Sequence, residues 1–270
     1  MHGFNTVFLQ KLAKEGFTKA ESCLANRAAF FGDGVFETMI FSKGKIRFAG
    51  EHEERLNLGL NLLKIESSSV TVQELEEFIK QNFSQEKPFR IRWNVYRGGL
   101  GKYTPVGHQA VDLIIIQSLD KPDKIKPNAY ISKNVSIFPS LWSHCKTLNS
   151  LPYVMANIER MEKGMDEVIL LSEKGLISEA GAANVFWKKE DVFYTPSLSC
   201  NCIAGVGRRK IMEVLKNEGI DMVEGEFLVE DLMAADQVFT SNVTGIAYIA
   251  CLENQFFDTK PLPLLERLFE

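Results

Sequence analysis

Lys146 stands in the run His144-Cys145-Lys146-Thr147-Leu148-Asn149, and Glu179 follows in Ser178-Glu179-Ala180-Gly181-Ala182-Ala183-Asn184. A desolvated lysine amine condenses with a carbonyl to form a Schiff base, and a carboxylate beside the resulting conjugated system tunes its electronics. Either residue alone also reads as an ordinary solvated charge. Downstream, Ala204-Gly205-Val206-Gly207-Arg208-Arg209 puts small residues at the entrance of a helix, where backbone N–H groups and the positive helix end favour an anion. A pyridoxal 5'-phosphate site needs those three things. Lys146 would form the Schiff base, Glu179 would balance the protonated ring nitrogen, and the Val206 and Gly207 amides would hold the phosphate. A surface lysine, a turn carboxylate and a plain helix start account for the same residues one at a time.

The elements that must position these groups alternate between two periods. Val35 to Phe41 is a β-rich apolar run, Ser42-Lys43-Gly44-Lys45 supplies turn chemistry, and Ile46-Arg47-Phe48 returns as the second strand of a hairpin. Leu56, Leu60 and Leu63 mark a helix from Glu51, and Thr71-Val72-Gln73-Glu74 is a capping box ahead of Leu75, Phe78 and Ile79. Residues 89–97 alternate as a strand with a basic polar side and run into Gly98-Gly99-Leu100-Gly101, but no GxGxxG opens a helix there. Val111 to Gln117 and Tyr130 to Ile137 read as strands on either side of a charged, proline-bearing linker over 118–127. Lys146 precedes a helix capped by Ser150, with Pro152 in its first turn and Val154, Ile158 and Met161 as its buried stripe. Val168 to Leu171 returns through the turn Ser172-Glu173-Lys174-Gly175, Val185 to Trp187 returns as Val192 to Tyr194, and a helix bearing Ile211, Met212 and Leu215 stops at Gly219.

The reading is of a mixed α/β chain: a small N-terminal domain over 1–117, the linker, and a large cofactor-binding domain over 128–270. At 270 residues there is length for a sizeable core. An apolar fraction of 45% and a net charge of -4 give no electrostatic reason to expect a nucleic acid or an anionic membrane, so the expected partner is a small molecule. The first residues show no secretory pattern and no run reaches membrane-spanning length. Five scattered cysteines (Cys23, Cys145, Cys200, Cys202, Cys251) suit a reducing cytoplasm, and the Cys200/Cys202 spacing does not suit zinc, so no metal site is expected.

Five segments appear together and in order: Arg27 to Thr38, His52-Glu53-Glu54-Arg55-Leu56, Lys146-Thr147-Leu148-Asn149, Glu179 to Phe186, and Gly205-Val206-Gly207-Arg208. In this the chain resembles the class IV aminotransferases, the fold-type IV pyridoxal phosphate enzymes that include branched-chain aminotransferases, D-amino acid aminotransferases and aminodeoxychorismate lyases. The resemblance covers roughly residues 25 to 250. It implies two α/β domains with the cofactor between them, and a homodimer in which a loop of the small domain completes the neighbour's site. It implies Arg55 as the phosphate-binding arginine, Lys146 as the cofactor lysine, Glu179 at the pyridine nitrogen, Val206 and Gly207 as the phosphate cradle, and Asn184 in the ring-packing segment. Val243 joins the cofactor-binding positions and Phe36 the substrate-binding ones.

Departures choose among the family's reactions. Branched-chain enzymes carry a tyrosine five residues after the lysine and a late Gly-Thr-Ala, whereas this chain has Leu151 and Asn242-Val243-Thr244. D-amino acid aminotransferases use Arg-x-His where this chain reads Lys102-Tyr103-Thr104. Aminodeoxychorismate lyases are the more similar group: Lys-x-Leu-Asn-x-Leu matches Lys146 to Leu151, Ala-Ala-Asn-x-Phe-Trp matches Ala182 to Trp187, Tyr-Thr-Pro matches Tyr194 to Pro196, and Arg-Gly matches Arg97-Gly98. The expected reaction is release of pyruvate and 4-aminobenzoate from 4-amino-4-deoxychorismate, with Lys146 as base. Thr38 would deliver a proton to the departing enolpyruvate, or is simply a β-branched strand residue. Arg92, Arg97 or Lys102 would bind the substrate carboxylates, or present a solvated strand face. The rival readings are an amino acid transaminase of the branched-chain or D-amino acid type, and a catalytically silent cofactor-binding protein.

Overall fold

A computed structural model of the 270-residue chain describes residues 7–11, 16, 18–19, 26–84, 87–99, 101–119 and 122–270. Cys23, Leu100, Asp120, Lys121 and the first six residues of the N-terminus lie outside the described residues. The chain divides into two compact units, Met1–Lys121 with Cys145–Ser150, and Pro122–His144 with Leu151–Glu270. The short segment that carries Lys146 therefore clusters with the N-terminal unit, whereas a single crossing at the linker leaves it in the C-terminal one. Backbone pairing is the reason: the Phe36 N–H donates to the Lys146 carbonyl at 2.8 Å and the Leu148 N–H to the Gly34 carbonyl at 2.9 Å.

The first unit contains β1 (Val7–Lys11), β2 (Thr18–Lys19), α1 (Arg27–Phe31), β3 (Gly34–Ser42), β4 (Lys45–Ile46), α2 (Ala49–Leu62), α3 (Val72–Asn82), β5 (Phe89–Arg97) and β6 (Ala110–Ser118). Among the described residues the strands form an antiparallel sheet in the order β2-β1-β6-β5-β3-β4. Lys43 and Gly44 both have positive φ, which is the two-residue hairpin turn that matches strand twist. The Thr71–Glu74 capping box forms as its spacing predicts and starts α3. Alternation then decides which sheet face is covered. Val35, Met39, Phe41, Ile91, Trp93, Val95, Ile114 and Ile116 pack with Leu56 and Leu60 of α2 and Leu75 and Ile79 of α3. Phe36, Thr38, Arg90, Arg92 and Asn94 point the other way.

The second unit holds β7 (Ile125–Lys126), β8 (Ala129–Ile137), α4 (Leu151–Glu162), β9 (Glu167–Ser172), β10 (Ile177–Ala180), β11 (Asn184–Lys189), β12 (Val192–Pro196), α5 (Val206–Asn217), β13 (Met222–Gly225), α6 (Val229–Met233), β14 (Gln237–Asn242), β15 (Gly245–Ile249), β16 (Cys251–Leu252), β17 (Gln255–Phe256) and α7 (Pro263–Glu266). Two sheets result, β10-β9-β8-β16-β17 and β13-β12-β11-β14-β15-β7. Ile169, Ile177 and Leu252 of the first share a core with Val185, Trp187, Val238 and Ile249 of the second. The mixed α/β architecture with a sheet in each unit agrees with the expected class.

Helix α4 departs from expectation. Val154, Ile158 and Met161, the expected buried stripe, are 50%, 42% and 71% exposed, while Ala156 is fully buried and the partly buried positions are Tyr153, Asn157, Glu159 and Arg160. The polar side is the inward one because Asn157 donates to the Gly181 carbonyl and Arg160 to the Met165 carbonyl. The Ser150 hydroxyl, expected to cap this helix, donates instead to the carbonyls of Thr147 and Leu148. No helix of the described residues is long and apolar enough to cross a membrane, and none of them forms a group of three or more His, Cys, Asp or Glu side chains able to hold a metal. Cys145, Cys200, Cys202 and Cys251 are free thiols.

Candidate active site

In the first unit Lys146 is fixed by its backbone against the start of β3, where Val35 and Thr147 also form a bridge. Gly34 makes the approach possible, since a Cβ there would lie 2.4 Å from the Val95 carbonyl and 2.8 Å from Leu148. The neighbouring residue, Phe36, is the focus of the site. Its ring carries the Lys146 Nζ at 4.5 Å and the Arg92 guanidinium carbon at 3.8 Å from the centroid. Arg92 Nε also donates to Asn94 Oδ1 at 2.9 Å, and Thr38 pairs across the ladder with Arg92 on the same face. Lysine, aromatic ring, arginine and hydroxyl thus share one patch of the sheet.

Behind that patch, on the covered face, Arg55 is held by a carboxylate that the sequence did not single out. Glu37, buried in β3, accepts from Arg55 Nε at 2.8 Å and Nη2 at 2.5 Å, and its Oε2 lies 2.6 Å from His52 Nδ1. Burial pushes the Glu37 pKa up, but the Arg55 charge and the bonds from His52 and Arg55 outweigh it and hold the group at about 2. The His52 Nε2 atom is buried without a partner among the described residues.

Arg97 sits apart from Phe36. Its guanidinium donates to Asp33, to the Leu63 and Lys64 carbonyls, and lies against His108, tying the end of β5 to the end of α2. Asp33 takes Arg27 as well, so this residue, flanked by Gly32 and Gly34, is a structural clamp. Lys102 is in an exposed turn whose carbonyl accepts from Arg27. Neither cation joins Arg92 at the ring.

In the second unit Glu179 is buried in β10 and accepts the Tyr153 hydroxyl at 2.5 Å and the Ile203 N–H at 3.3 Å. Burial and then the Glu179 charge raise the Tyr153 pKa far above its ordinary value, so the phenol stays a donor. The same two causes lift the Cys202 thiol to about 12. Ile203 links two expected site residues, because its carbonyl accepts from Asn184 Nδ2 at 2.8 Å. Gly205 follows, and a Cβ there would stand 1.9 Å from Asn184 Oδ1.

Val206 and Gly207 open the 12-residue α5, whose N-terminus has no side-chain cap. A Cβ on Gly207 would meet Ser241 Oγ at 3.0 Å and the Asn242 carbonyl at 3.2 Å. The Ser241 hydroxyl is buried and unpartnered among the described residues. Val243 lies in the β14–β15 turn, which Asn242 shapes by accepting from the Thr244 N–H at 2.9 Å and hydroxyl at 2.6 Å. Uncapped amides, a glycine in close contact and an unsatisfied hydroxyl lie side by side, an arrangement suited to an anion.

Glu37, His52, Tyr153 and Ser241 join the site without being singled out by the sequence. Glu37 and His52 lie within the motif segments and carry a signal: a carboxylate in an otherwise apolar strand run needs a partner when buried. Tyr153 and Ser241 carry no comparable signal, since each depends on a neighbour remote in sequence.

The chain is similar in sequence and in fold to known proteins. Residues 34–250 match the family model described as amino-transferase class IV. An aminodeoxychorismate lyase of Bacillus subtilis is 30% identical over 78% of this chain and 74% of its own. A putative branched-chain-amino-acid aminotransferase of Methanocaldococcus jannaschii is 27% identical over 84% of this chain and 80% of its own. Among solved structures, a branched-chain aminotransferase from Thermoproteus uzoniensis superposes with a TM-score of 0.87 at 21% identity, covering 98% of this chain and 94% of that one.

Proposed function

Because the chain belongs to the class IV aminotransferase family, we propose that it is a pyridoxal 5'-phosphate enzyme that cleaves 4-amino-4-deoxychorismate to pyruvate and 4-aminobenzoate. The observation that carries the reading is the grouping of Lys146 and Arg92 at the Phe36 ring, with Thr38 opposite Arg92 on the same face of the sheet: an amine, an anion receptor and a hydroxyl. The 30% identity to a relative that bears the lyase name supports the choice of reaction.

The residues present fit the cofactor. Lys146 would hold it covalently, and Arg55, the Val206 and Gly207 amides, Ser241 and the turn at Val243 would take the phosphate. Glu179 and Asn184 would take the ring side. The unsatisfied Ser241 hydroxyl and the close contact at Gly207 are what a phosphate seat requires of a chain. When bound, pyridoxal 5'-phosphate supplies a conjugated ring that accepts the electron pair of a broken bond at the amino-bearing carbon. Glu179, anchored by Tyr153 and the Ile203 N–H, keeps a negative charge fixed for the ring nitrogen.

Lys146 takes the proton from the carbon that bears the substrate amine. That electron pair closes the aromatic ring while the carbon–oxygen bond to the enolpyruvyl group breaks, and its bonding pair leaves on the oxygen as an enolate. The Thr38 hydroxyl delivers a proton to the methylene carbon of the departing enolate, which becomes pyruvate, and is reprotonated by the proton that Lys146 took up. Arg92 holds a substrate carboxylate throughout. The branched-chain name on a 27% identical relative favours a second reading, a transaminase that uses the same lysine and needs a keto acid.

Purified protein is to be given 4-amino-4-deoxychorismate with and without 2-oxoglutarate. Equal amounts of pyruvate and 4-aminobenzoate without the keto acid are the expected result. Turnover that appears only with 2-oxoglutarate overturns the lyase reading. The same proposal includes a homodimer: α4 and the preceding loop expose Phe138, Leu141, Leu151, Val154, Ile158 and Met161, an apolar surface that a second copy would cover.

A further inference from the structure

Arg90 and Arg92 differ from the arginines that hold carboxylates, and from Arg160, whose guanidinium is taken up by Asn157 and by the Met165 and Asp166 carbonyls. Arg27 and Arg97 share Asp33, Arg55 holds Glu37, Arg208 holds Glu224 and Arg209 holds Glu213. Arg90 has only a neutral side-chain partner, the Gln117 oxygen at 3.2 Å, and Arg92 has Asn94 and the Phe36 ring. No carboxylate is bonded to either among the described residues. Both are half-buried on β5, two residues apart, and hence on one face. It is the face turned away from α2 and α3.

That arrangement is costly for a protein left to itself. Burial lowers the basicity of both groups, and the charge of Arg90 lowers that of Arg92 further. Neighbouring guanidiniums without counter-charges are justified by an anion that arrives from outside, and the planar donor fork of arginine suits a carboxylate. Residues two apart on a strand stand about 6.6 Å from each other, room for two separate carboxylates rather than two contacts to one. Phe36 orients Arg92, and Gln117 holds Arg90 without neutralising it.

We propose that Arg90 is the second seat of a paired carboxylate site: Arg92 receives the substrate carboxylate nearer Lys146, Arg90 receives a farther one, and the pair selects dicarboxylates over monocarboxylates. The inference rests on the reading that Lys146 and Arg92 serve the same substrate. It adds a specificity-determining residue and a substrate class to that reading.

The test is binding of benzene-1,3-dicarboxylate and of benzoate to the cofactor-loaded protein by calorimetry, for the wild type and for Arg90→Gln and Arg90→Lys. The wild type is expected to prefer the dicarboxylate. Arg90→Gln should weaken dicarboxylate binding by about 10- to 100-fold, the loss of one charge-assisted contact, and change benzoate binding by less than about threefold. Arg90→Lys should recover part of the difference. An unchanged ratio of the two affinities in Arg90→Gln, in protein whose melting temperature matches the wild type, overturns the proposal. If Arg90→Gln does not fold, Gln117→Glu is the second variant: a new carboxylate against Arg90 should lower the dicarboxylate preference by a similar factor, and an unchanged preference overturns the proposal. A protein that releases no 4-aminobenzoate but keeps an Arg90-dependent preference sinks the lyase reading and leaves the paired seat standing. The reverse outcome sinks only the seat.

Discussion

Glu37 shows how a single side chain sets the properties of its neighbours. It is buried, yet its carboxyl is held at about 2 because Arg55 and His52 together outweigh the cost of desolvation. The sign of its contribution to stability follows. A carboxyl whose native pKa lies below the unfolded value stabilises the fold above about pH 4.5, and loses that contribution as pH falls toward about 2. Asp112 and Glu167 act in the opposite direction, because burial raises them and their contribution fades as pH rises. Glu37→Gln should therefore be less stable than the wild type in urea at pH 6, and the gap should shrink steadily between pH 4.5 and pH 2. A gap that is constant across that range would mean that the carboxyl is not ionised by its partners. If Arg55 serves the phosphate, the same variant should also release the cofactor more readily, by on the order of tenfold in equilibrium dialysis, since a hydrogen bond to a charged group is worth about 1.5–3 kcal/mol. Lys146 and Glu179 were legible in the sequence because their types are chemically distinctive and their spacing is characteristic. Tyr153 was not, because nothing local marks a tyrosine as the donor to a carboxylate 26 positions away.

At the scale of elements, local chemistry was readable wherever it was self-contained. The Thr71–Glu74 box, the Lys43-Gly44 turn and the stop at Gly219 all depend on residues a few positions apart, and all formed. Helix α4 defeated the same method, because periodicity identifies an apolar stripe but not what covers it. Its polar face turned inward when Tyr153, Asn157 and Arg160 found partners on β10 and the loops beside β9. The entrance to α5 tests how tightly such loops are fitted. Gly205 has an unremarkable φ of -66, so its requirement is one of space: a methyl group would overlap Asn184 Oδ1 at 1.9 Å. Gly205→Ala should displace Asn184 from the Ile203 carbonyl and lower stability by about 1–3 kcal/mol, the usual cost of overpacking. Gly164→Ala offers the contrast, because no atom lies within 4 Å of its missing Cβ although its φ of 64 still penalises a side chain. Equal melting curves for the wild type and Gly205→Ala would show that the Asn184 amide moves aside without cost.

For the whole molecule, the apolar residues on α4 and the loop before it raise the question of what covers them. Leu141, Leu151 and Met161 are 80%, 62% and 71% exposed, and with Phe138, Val154 and Ile158 they form a run of large side chains in the second unit. Scattered apolar residues on a surface need no explanation, but a helix that presents Leu151, Val154, Met155, Ile158 and Met161 along one side while turning its polar side inward does. A net charge of -4 on a 30.5 kDa chain opposes self-association only weakly at physiological salt. A two-fold interface would place the same stripe against itself and remove it from water, at roughly 25 cal/mol for each Å² of apolar surface covered. The wild type should therefore scatter light with twice the 30.5 kDa chain mass, and Ile158→Asp combined with Met161→Asp should shift the equilibrium to the single-chain mass. Both positions are outside the hydrogen-bonded side of α4, so the far-ultraviolet spectrum of the double variant should match the wild type. A wild type that scatters as a single chain at tens of micromolar would remove the dimer from the proposal and leave the chemistry at Lys146 untouched. A dimeric wild type whose mass survives both aspartates would place the interface on another surface of the chain.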